Sequence, residues 1–319
     1  MKNLIAIVAG EPNSINSEII VKAWKKNKGL KNLFIIGNYS LLKNQIIQLG
    51  YKIPLIKISE LKDFKREEKL VILDVPLKFE KKLSVKSSEA KTYIFKCFDI
   101  AHRLAIKKKI IGFINAPINK KIFEGKYLGV TEYLSKMNKS KNKEVMMIHN
   151  KELSVVPLTT HVEIKDVTNK ITFNFIKKKI ISLNKLYLKL FKIKPKIAIL
   201  GLNPHNSENK TQSIENKIIR PVIIKLKKLK INIKGPFPAD TAFNRQNIIS
   251  YDIIVGMYHD QVLAPFKALY GYDAINITLG LKYLRVSPDH GTAQDIIGLN
   301  KANPQSLISA INFLNKFND

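Results

Sequence analysis

Three of the six histidines follow apolar runs: VVPLTTH ends at His161, IAILGLNPH ends at His205, and IIVGMYHD carries His259. As neighbouring strands of one sheet, such runs would deliver an imidazole each to the same C-terminal edge, where open α/β sheets hold their ligands. Three imidazoles that leave coordination positions open describe a catalytic divalent site rather than a closed structural one. Nitrogen donors suit zinc, with cobalt, manganese and magnesium as alternatives. Beyond His259, three polar side chains follow at equal spacing, Lys267, Asn276 and Arg285. Fixed cations beside a metal suit a small anionic substrate. His102 lies in a lysine-bearing amphipathic pattern and reads as structural or solvated. His149 ends a strand in HNKE and reads as a turn residue.

Strand-like apolar runs at 4–9, 33–36, 70–73, 110–114, 145–148, 154–158, 196–200, 252–257 and 274–277 must position these groups. They alternate with helical periodicity at 17–27, 40–49, 88–107, 171–191, 214–229 and 303–317. This alternation predicts an α/β fold with a largely parallel sheet. Ser17, Ser40 and Ser88 stand at expected N-cap positions. A chain of 319 residues suggests two lobes, with the change expected in the polar, lysine-rich stretch 125–143. The run 4–9 is short and leads straight into a polar loop, so it reads as a first strand rather than a signal segment. The loop that follows, GEPNSINSE at 10–18, has one glycine and is no Rossmann fingerprint. NAPINK, from Asn115, offers Lys120 as an anion contact, although Lys121 beside it reads as merely solvated. GVTEYL offers Thr131 and Glu132, either a substrate hydroxyl contact or a helix cap with an acidic first turn.

The net charge of +30 invites a nucleic-acid reading, which the residue types oppose. Arginine occurs at positions 66, 103, 220, 245 and 285 alone, while lysine is scattered along the whole chain. Lysine scatter without interleaved aromatics lacks the groups that read or stack on bases, so specific nucleic-acid binding is not expected. No apolar run approaches the ~20 residues that a membrane-spanning helix needs. A single cysteine, Cys97, excludes an internal disulfide and a cysteine-based zinc site, and points to a reducing cytoplasmic setting.

The motifs together resemble the 4-hydroxythreonine-4-phosphate dehydrogenases of pyridoxal phosphate biosynthesis. The matching segments are GEP at Gly10, PINK at Pro117, TEYL at Thr131, TTH at Thr159 with KDV at Lys165, and GLNPH at Gly201. GPFPADTAF at Gly235, MYHDQ at Met257, INITLGL at Ile275 and DHGTAQDIIG at Asp289 follow in the family's order. The resemblance implies a two-lobed, three-layer α/β/α fold like that of isocitrate and isopropylmalate dehydrogenases. Its lobes would be 1–128 with 287–319, and 129–286, with the active-site cleft between them. It implies a homodimer whose active site lies at the subunit interface and borrows metal ligands across it. His161, His205 and His259 would hold the metal (zinc, magnesium or cobalt), and Thr131, Lys267, Asn276 and Arg285 would contact a phosphorylated hydroxy amino acid. His290, Gly291, Thr292 and Ala293 would line the site for NAD or NADP.

The implied reaction is oxidation of 4-phosphooxy-L-threonine with decarboxylation to 3-amino-2-oxopropyl phosphate. Asp240, Asp260 and Lys267 are the candidates for proton transfer. Three departures from the family pattern stand out. Ser14 and Asn16 replace glycines of the first loop, and Ser17 replaces its proline. Were those glycines left-handed, asparagine would tolerate the position better than serine. Val130 replaces a histidine beside Thr131, which removes a polar contact. NSENK, 206–210, replaces a glycine-rich tail. Such changes raise two alternatives: a paralogue acting on another phosphorylated hydroxy acid, such as 4-phosphoerythronate or phosphothreonate, or a decayed, non-catalytic metal-binding homologue.

Overall fold

The computed structural model describes residues 3–27, 30–127, 129–139 and 144–317, the Asn209 side chain excepted. Leu128 and residues 140–143, part of the stretch expected to hold the lobe change, lie outside the described residues. Apolar runs form strands β1 Ile5–Val8, β2 Leu33–Gly37, β3 Leu55–Ile58, β4 Leu70–Asp74, β5 Gly112–Asn115 and β6 Val145–His149. The remaining strands are β7 Ser154–Pro157, β8 Ile197–Leu200, β9 Ile233–Phe237, β10 Ile253–Gly256, β11 Ile275–Leu279 and β12 Leu284–Pro288. Helices are α1 Asn16–Lys26, α2 Tyr39–Gln48, α3 Ser87–Ile106, α4 Val130–Met137 and α5 Ile164–Lys170. They continue with α6 Phe173–Phe191, α7 Arg220–Lys228, α8 Arg245–Ser250, α9 His259–Tyr270 and α10 Gln305–Asn315.

The chain divides into two compact units, 1–130 with 282–319, and 131–281. In the first, strands run in the order β3-β4-β2-β1-β5-β12 and every neighbouring pair is parallel. In the second the order is β11-β6-β7-β10-β8-β9, with β6 antiparallel to both of its neighbours and the rest of the pairs parallel. β1, β5, β7, β8 and β10 are buried at every residue. Their sequences therefore read as continuous apolar runs rather than alternating ones. α3 and α10 cover the first unit's central strands, and α9 packs on β7 and β10 through Val262, Leu263 and Phe266.

Several expectations need correction. None of the three serines is an N-cap. α1 starts at Asn16 after Ile15, α2 is capped by Asn38 accepting from Leu41 N–H, and α3 starts at Ser87. Ser17 is turned inward instead and donates to Gln45 Oε1. His149 is no turn residue: it is the last residue of β6, with Nδ1 2.9 Å from Ser154 Oγ and its ring against Phe191. Neither Ser14 nor Asn16 has a left-handed backbone. Both are buried, and their side chains brace the first loop: Ser14 Oγ donates to Glu11 O at 2.6 Å and accepts from Asn16 N–H at 3.1 Å.

Candidate active site

β7, β10 and β8 lie side by side and parallel, so their C-terminal ends form one edge. The loops leaving that edge carry His161, His259 and His205 respectively. Thr159 ties the first loop to the second, because its N–H and its hydroxyl both donate to Met257 O, at 3.2 and 2.7 Å. Gln261 ties the second to the third, accepting from Met257 N–H at 2.7 Å and donating to Gly201 O at 2.8 Å. With their roots so fixed, the His161 and His259 ring centroids stand 5.9 Å apart. His259 opens α9, with Nδ1 2.6 Å from Asp260 Oδ1, which leaves Nε2 to face a ligand.

His205 begins a run of left-handed residues, with φ of 48° there, 55° at Asn206, 54° at Ser207 and 51° at Glu208. Each costs roughly 1–2 kcal/mol for a residue with a side chain. The loop is held by polar bonds instead of glycine freedom. Glu215 accepts from the N–H groups of Leu202 and Asn203 at 3.0 and 2.8 Å, and from Ser207 Oγ at 3.0 Å, while Asn206 Nδ2 donates to Pro236 O at 3.0 Å. Among the described residues, no group of three or more His, Cys, Asp or Glu side chains is gathered around one metal position. The donor types and strand placement fit a divalent cation. Two of the three rings are paired within one chain, and His205 is not gathered with them.

The first unit builds a second edge from β1, β5 and β12. Glu11 N–H donates to Pro117 O at 3.0 Å, joining the loop after β1 to the loop after β5. Asn16 Nδ2 adds bonds to Ala9 O at 3.0 Å and Pro117 O at 2.7 Å. Gly10, at φ 74°, is required here, because a Cβ would lie 2.6 Å from Pro117 O. Ile15 N–H donates to Thr292 O at 3.2 Å, which brings the first loop against the DHGTA segment after β12. In that segment His290 Nδ1 lies 3.0 Å from Gly291 O, and Ala293 is left-handed at φ 43°. A Cβ on Gly291 would meet nothing within 4 Å, so the space beside this backbone is open.

The substrate candidates are divided between the two units. Thr131, the second residue of α4, has its hydroxyl 3.3 Å from that of Thr278 on β11, and Asn276 lies two residues away on the same strand face. Asn276 Oδ1 is buried with no hydrogen-bond partner among the described residues. Lys267 is exposed on α9. Arg285 is 3% exposed on β12, and its Nε donates to Asn115 Oδ1 at 2.6 Å. Lys120 is exposed in the turn after Asn119. Asp240 is exposed in the turn after β9, accepting from Thr241 N–H at 3.0 Å, and the Asp260 side chain is 79% exposed beside His259.

Sequence reasoning missed Asn115, Thr278, Gln261 and Glu215. Asn115 and Gln261 lie inside the NAPINK and MYHDQ motifs, whose charged members carry the stronger local signal. Glu215 lies ten residues beyond His205, and nothing local ties it to that loop.

The same α/β fold occurs in β-decarboxylating dehydrogenases of known structure. One of these, from Thermococcus kodakarensis, aligns with a TM-score of 0.52 at 12% identity, covering 98% of this chain and 83% of that one, a likeness of fold alone. Residues 29–314 match the family model described as Pyridoxal phosphate biosynthetic protein PdxA, and the chain belongs to that family. It is 38% identical over 313 residues to the 4-hydroxythreonine-4-phosphate dehydrogenase of Sulfurihydrogenibium sp. (strain YO3AOP1), covering 96% of each chain. The crystal structure of 4-hydroxythreonine-4-phosphate dehydrogenase from Klebsiella pneumoniae matches with a TM-score of 0.85 at 27% identity, over 100% of both chains. The chain is accordingly an oxidoreductase of pyridoxal phosphate biosynthesis.

Proposed function

We propose that the chain oxidises 4-phosphooxy-L-threonine with NAD, and decarboxylates the product to 3-amino-2-oxopropyl phosphate. The observation that carries this reading is the delivery of His161, His259 and His205 to one edge by three adjoining parallel strands. These residues would hold a divalent cation, zinc, magnesium or cobalt, with metal ligands borrowed across the interface of a homodimer. Lobes of 1–128 with 287–319, and 129–286, would carry the dinucleotide loop and the metal ligands respectively. When bound, the dinucleotide takes up the hydride and the cation polarises the substrate oxygen.

The chain's own residues bind, orient and move protons. Arg285, held by Asn115, and Lys267 supply positive charge to the phosphate and carboxylate. Thr131 and the buried Oδ1 of Asn276 offer hydrogen bonds to the substrate's hydroxyl and amino groups. The alcohol loses its carbon-bound hydrogen as hydride and its hydroxyl proton to one of Asp240, Asp260 or Lys267. Rupture of the bond to the carboxylate then releases carbon dioxide and leaves an enolate that takes up a proton. His290, Gly291, Thr292 and Ala293 would line the dinucleotide, NAD or NADP. One buried thiol, Cys97, suits a reducing cytoplasm, and no helix of the described residues is long and apolar enough to cross a membrane.

Val130, at the start of α4 beside Thr131, favours a second reading. Valine offers no hydrogen bond, which suits a different phosphorylated hydroxy acid, such as 4-phosphoerythronate or phosphothreonate. The test follows NADH absorbance with metal, NAD and 4-phosphooxy-L-threonine. Turnover that disappears on chelation and in His259→Ala is expected. A folded, metal-loaded protein that turns over only the other acids would overturn the first reading in favour of the second.

A further inference from the structure

Glu215 is fully buried at the start of the π-helical turn Glu215–Ile219, a rare local form that tends to mark functional positions. Its carboxylate collects donors from both sides of His205. Leu202 N–H, Asn203 N–H and Asn203 Nδ2 reach Oε1 at 3.0, 2.8 and 3.2 Å. Asn203 Nδ2 and Ser207 Oγ reach Oε2 at 3.3 and 3.0 Å. From between these anchors to just past the last of them, at His205, Asn206, Ser207 and Glu208, the backbone is left-handed, a conformation that residues with side chains do not hold unaided. Asn206 Nδ2, bonded to Pro236 O at 3.0 Å, fixes the middle of the turn.

We infer that Glu215 is a positioning residue for His205, fixing the imidazole by gathering the loop's donors on one buried carboxylate. The inference rests on the reading of His205 as a metal ligand and deepens it. Every group reaching Glu215 is a donor, so an ionised carboxylate satisfies them all, whereas an amide turns one of its own donors against them. Glycines would let the same backbone form freely without fixing where it ends. Here the carboxylate does the fixing, so the place of His205 depends on a side chain ten residues away in sequence.

The experiment titrates the metal-free full-length chain with Co²⁺ and reads affinity and the visible ligand-field spectrum, with thermal unfolding measured alongside. Glu215→Gln is expected to weaken Co²⁺ binding about 10–100-fold and to alter the spectrum, the range typical for residues that orient ligands. His205→Ala is expected to weaken binding as well, and adding Glu215→Gln to it should cost little more, because both changes remove the same ligand. If Glu215→Gln lowers the unfolding temperature yet leaves Co²⁺ affinity and spectrum intact while His205→Ala weakens binding, Glu215 is only structural and the inference is overturned. If His205→Ala itself leaves Co²⁺ binding unchanged, the ligand reading fails and the inference with it. Should Glu215→Gln not fold, Ser207→Ala removes one anchor and is expected to weaken Co²⁺ binding about tenfold, the worth of a hydrogen bond to a charged group. An unchanged affinity there also overturns the inference.

Discussion

Two buried carboxylates brace the two strand edges, and their pKa values shift in opposite directions. Glu11, 6% exposed in the first loop, has its pKa raised from 4.5 by burial, which the backbone N–H groups of Asn119 and Asn13 offset only in part. Glu215 is 0% exposed, and burial pushes its carboxyl up too, yet the donors of Asn203 and Ser207 prevail and its pKa lies below 4.5. The number of donors facing the carboxylate decides the sign, since hydrogen bonds favour the charged form and desolvation the neutral one. The same contrast runs through both edges. The first is stitched by backbone carbonyls and amides, with Gly10 left-handed and Ser14 and Asn16 filling the loop. The second ties the roots of its loops together, braces the His205 turn on Glu215, and leaves His161 and His205 exposed on left-handed backbone.

Breaking the first edge at its buried cation should have the largest effect. Arg285→Ala is expected to lower kcat/KM about a thousandfold, as when a buried, hydrogen-bonded charge is removed. A loss below about threefold in steady-state assays would assign Arg285 a packing role alone. Gly10→Ala should come next, destabilising the chain by about 2–4 kcal/mol, because the new Cβ meets Pro117 O and the backbone is left-handed. Urea unfolding measures it, and an unchanged midpoint would mean that the edge is looser than its hydrogen bonds imply.

The carboxylates sharpen the comparison through pH. Glu11 has a raised folded pKa, so the stability it contributes is present below 4.5 and is lost as pH rises through the folded value. Glu215 has a lowered one, so its contribution is present above 4.5 and is lost as pH falls through the folded value. Wild type should therefore lose stability relative to Glu11→Gln above that range, and relative to Glu215→Gln below it. Urea midpoints across pH for the three proteins test this, and slopes of the same sign would refute the contrast. The smallest effect belongs to Glu208→Gly. It relieves a left-handed residue, φ 51°, whose side chain is exposed, and should stabilise by about 0.5–1 kcal/mol. Calorimetry should show a rise of roughly 1–3 °C, and a fall would mean that the Glu208 side chain contributes to the turn.

Much of the fold was legible because buried parallel strands are apolar at every position. The runs at 4–9, 33–36, 70–73 and 196–200 each coincide with an observed strand to within one residue at either end. Strands β3, β9 and β12 were not legible. LIKI in β3 is short and half exposed, and IKGPF in β9 carries the glycine and proline of a turn but survives beside β8 through an irregular register. LRVSP in β12 buries an arginine, which its bond to Asn115 helps to accommodate. Helix α9 was hidden by Pro265, which its interior tolerates.

The sequence by itself determined which residue types end each strand, since an apolar run followed by histidine, asparagine or glycine is a local pattern. It therefore picked out the three imidazoles, the loop that begins at Gly10 and the motif order that marks the family. Only the tertiary structure decided that β7, β10 and β8 are neighbours, that two imidazoles pair, and that Asn16 and Ser14 brace a loop rather than strain it. Glu215 sits with this second group. Whether a buried carboxylate is charged depends on how many donors the fold aims at it, and those donors come from loops that only long-range strand pairing brings together.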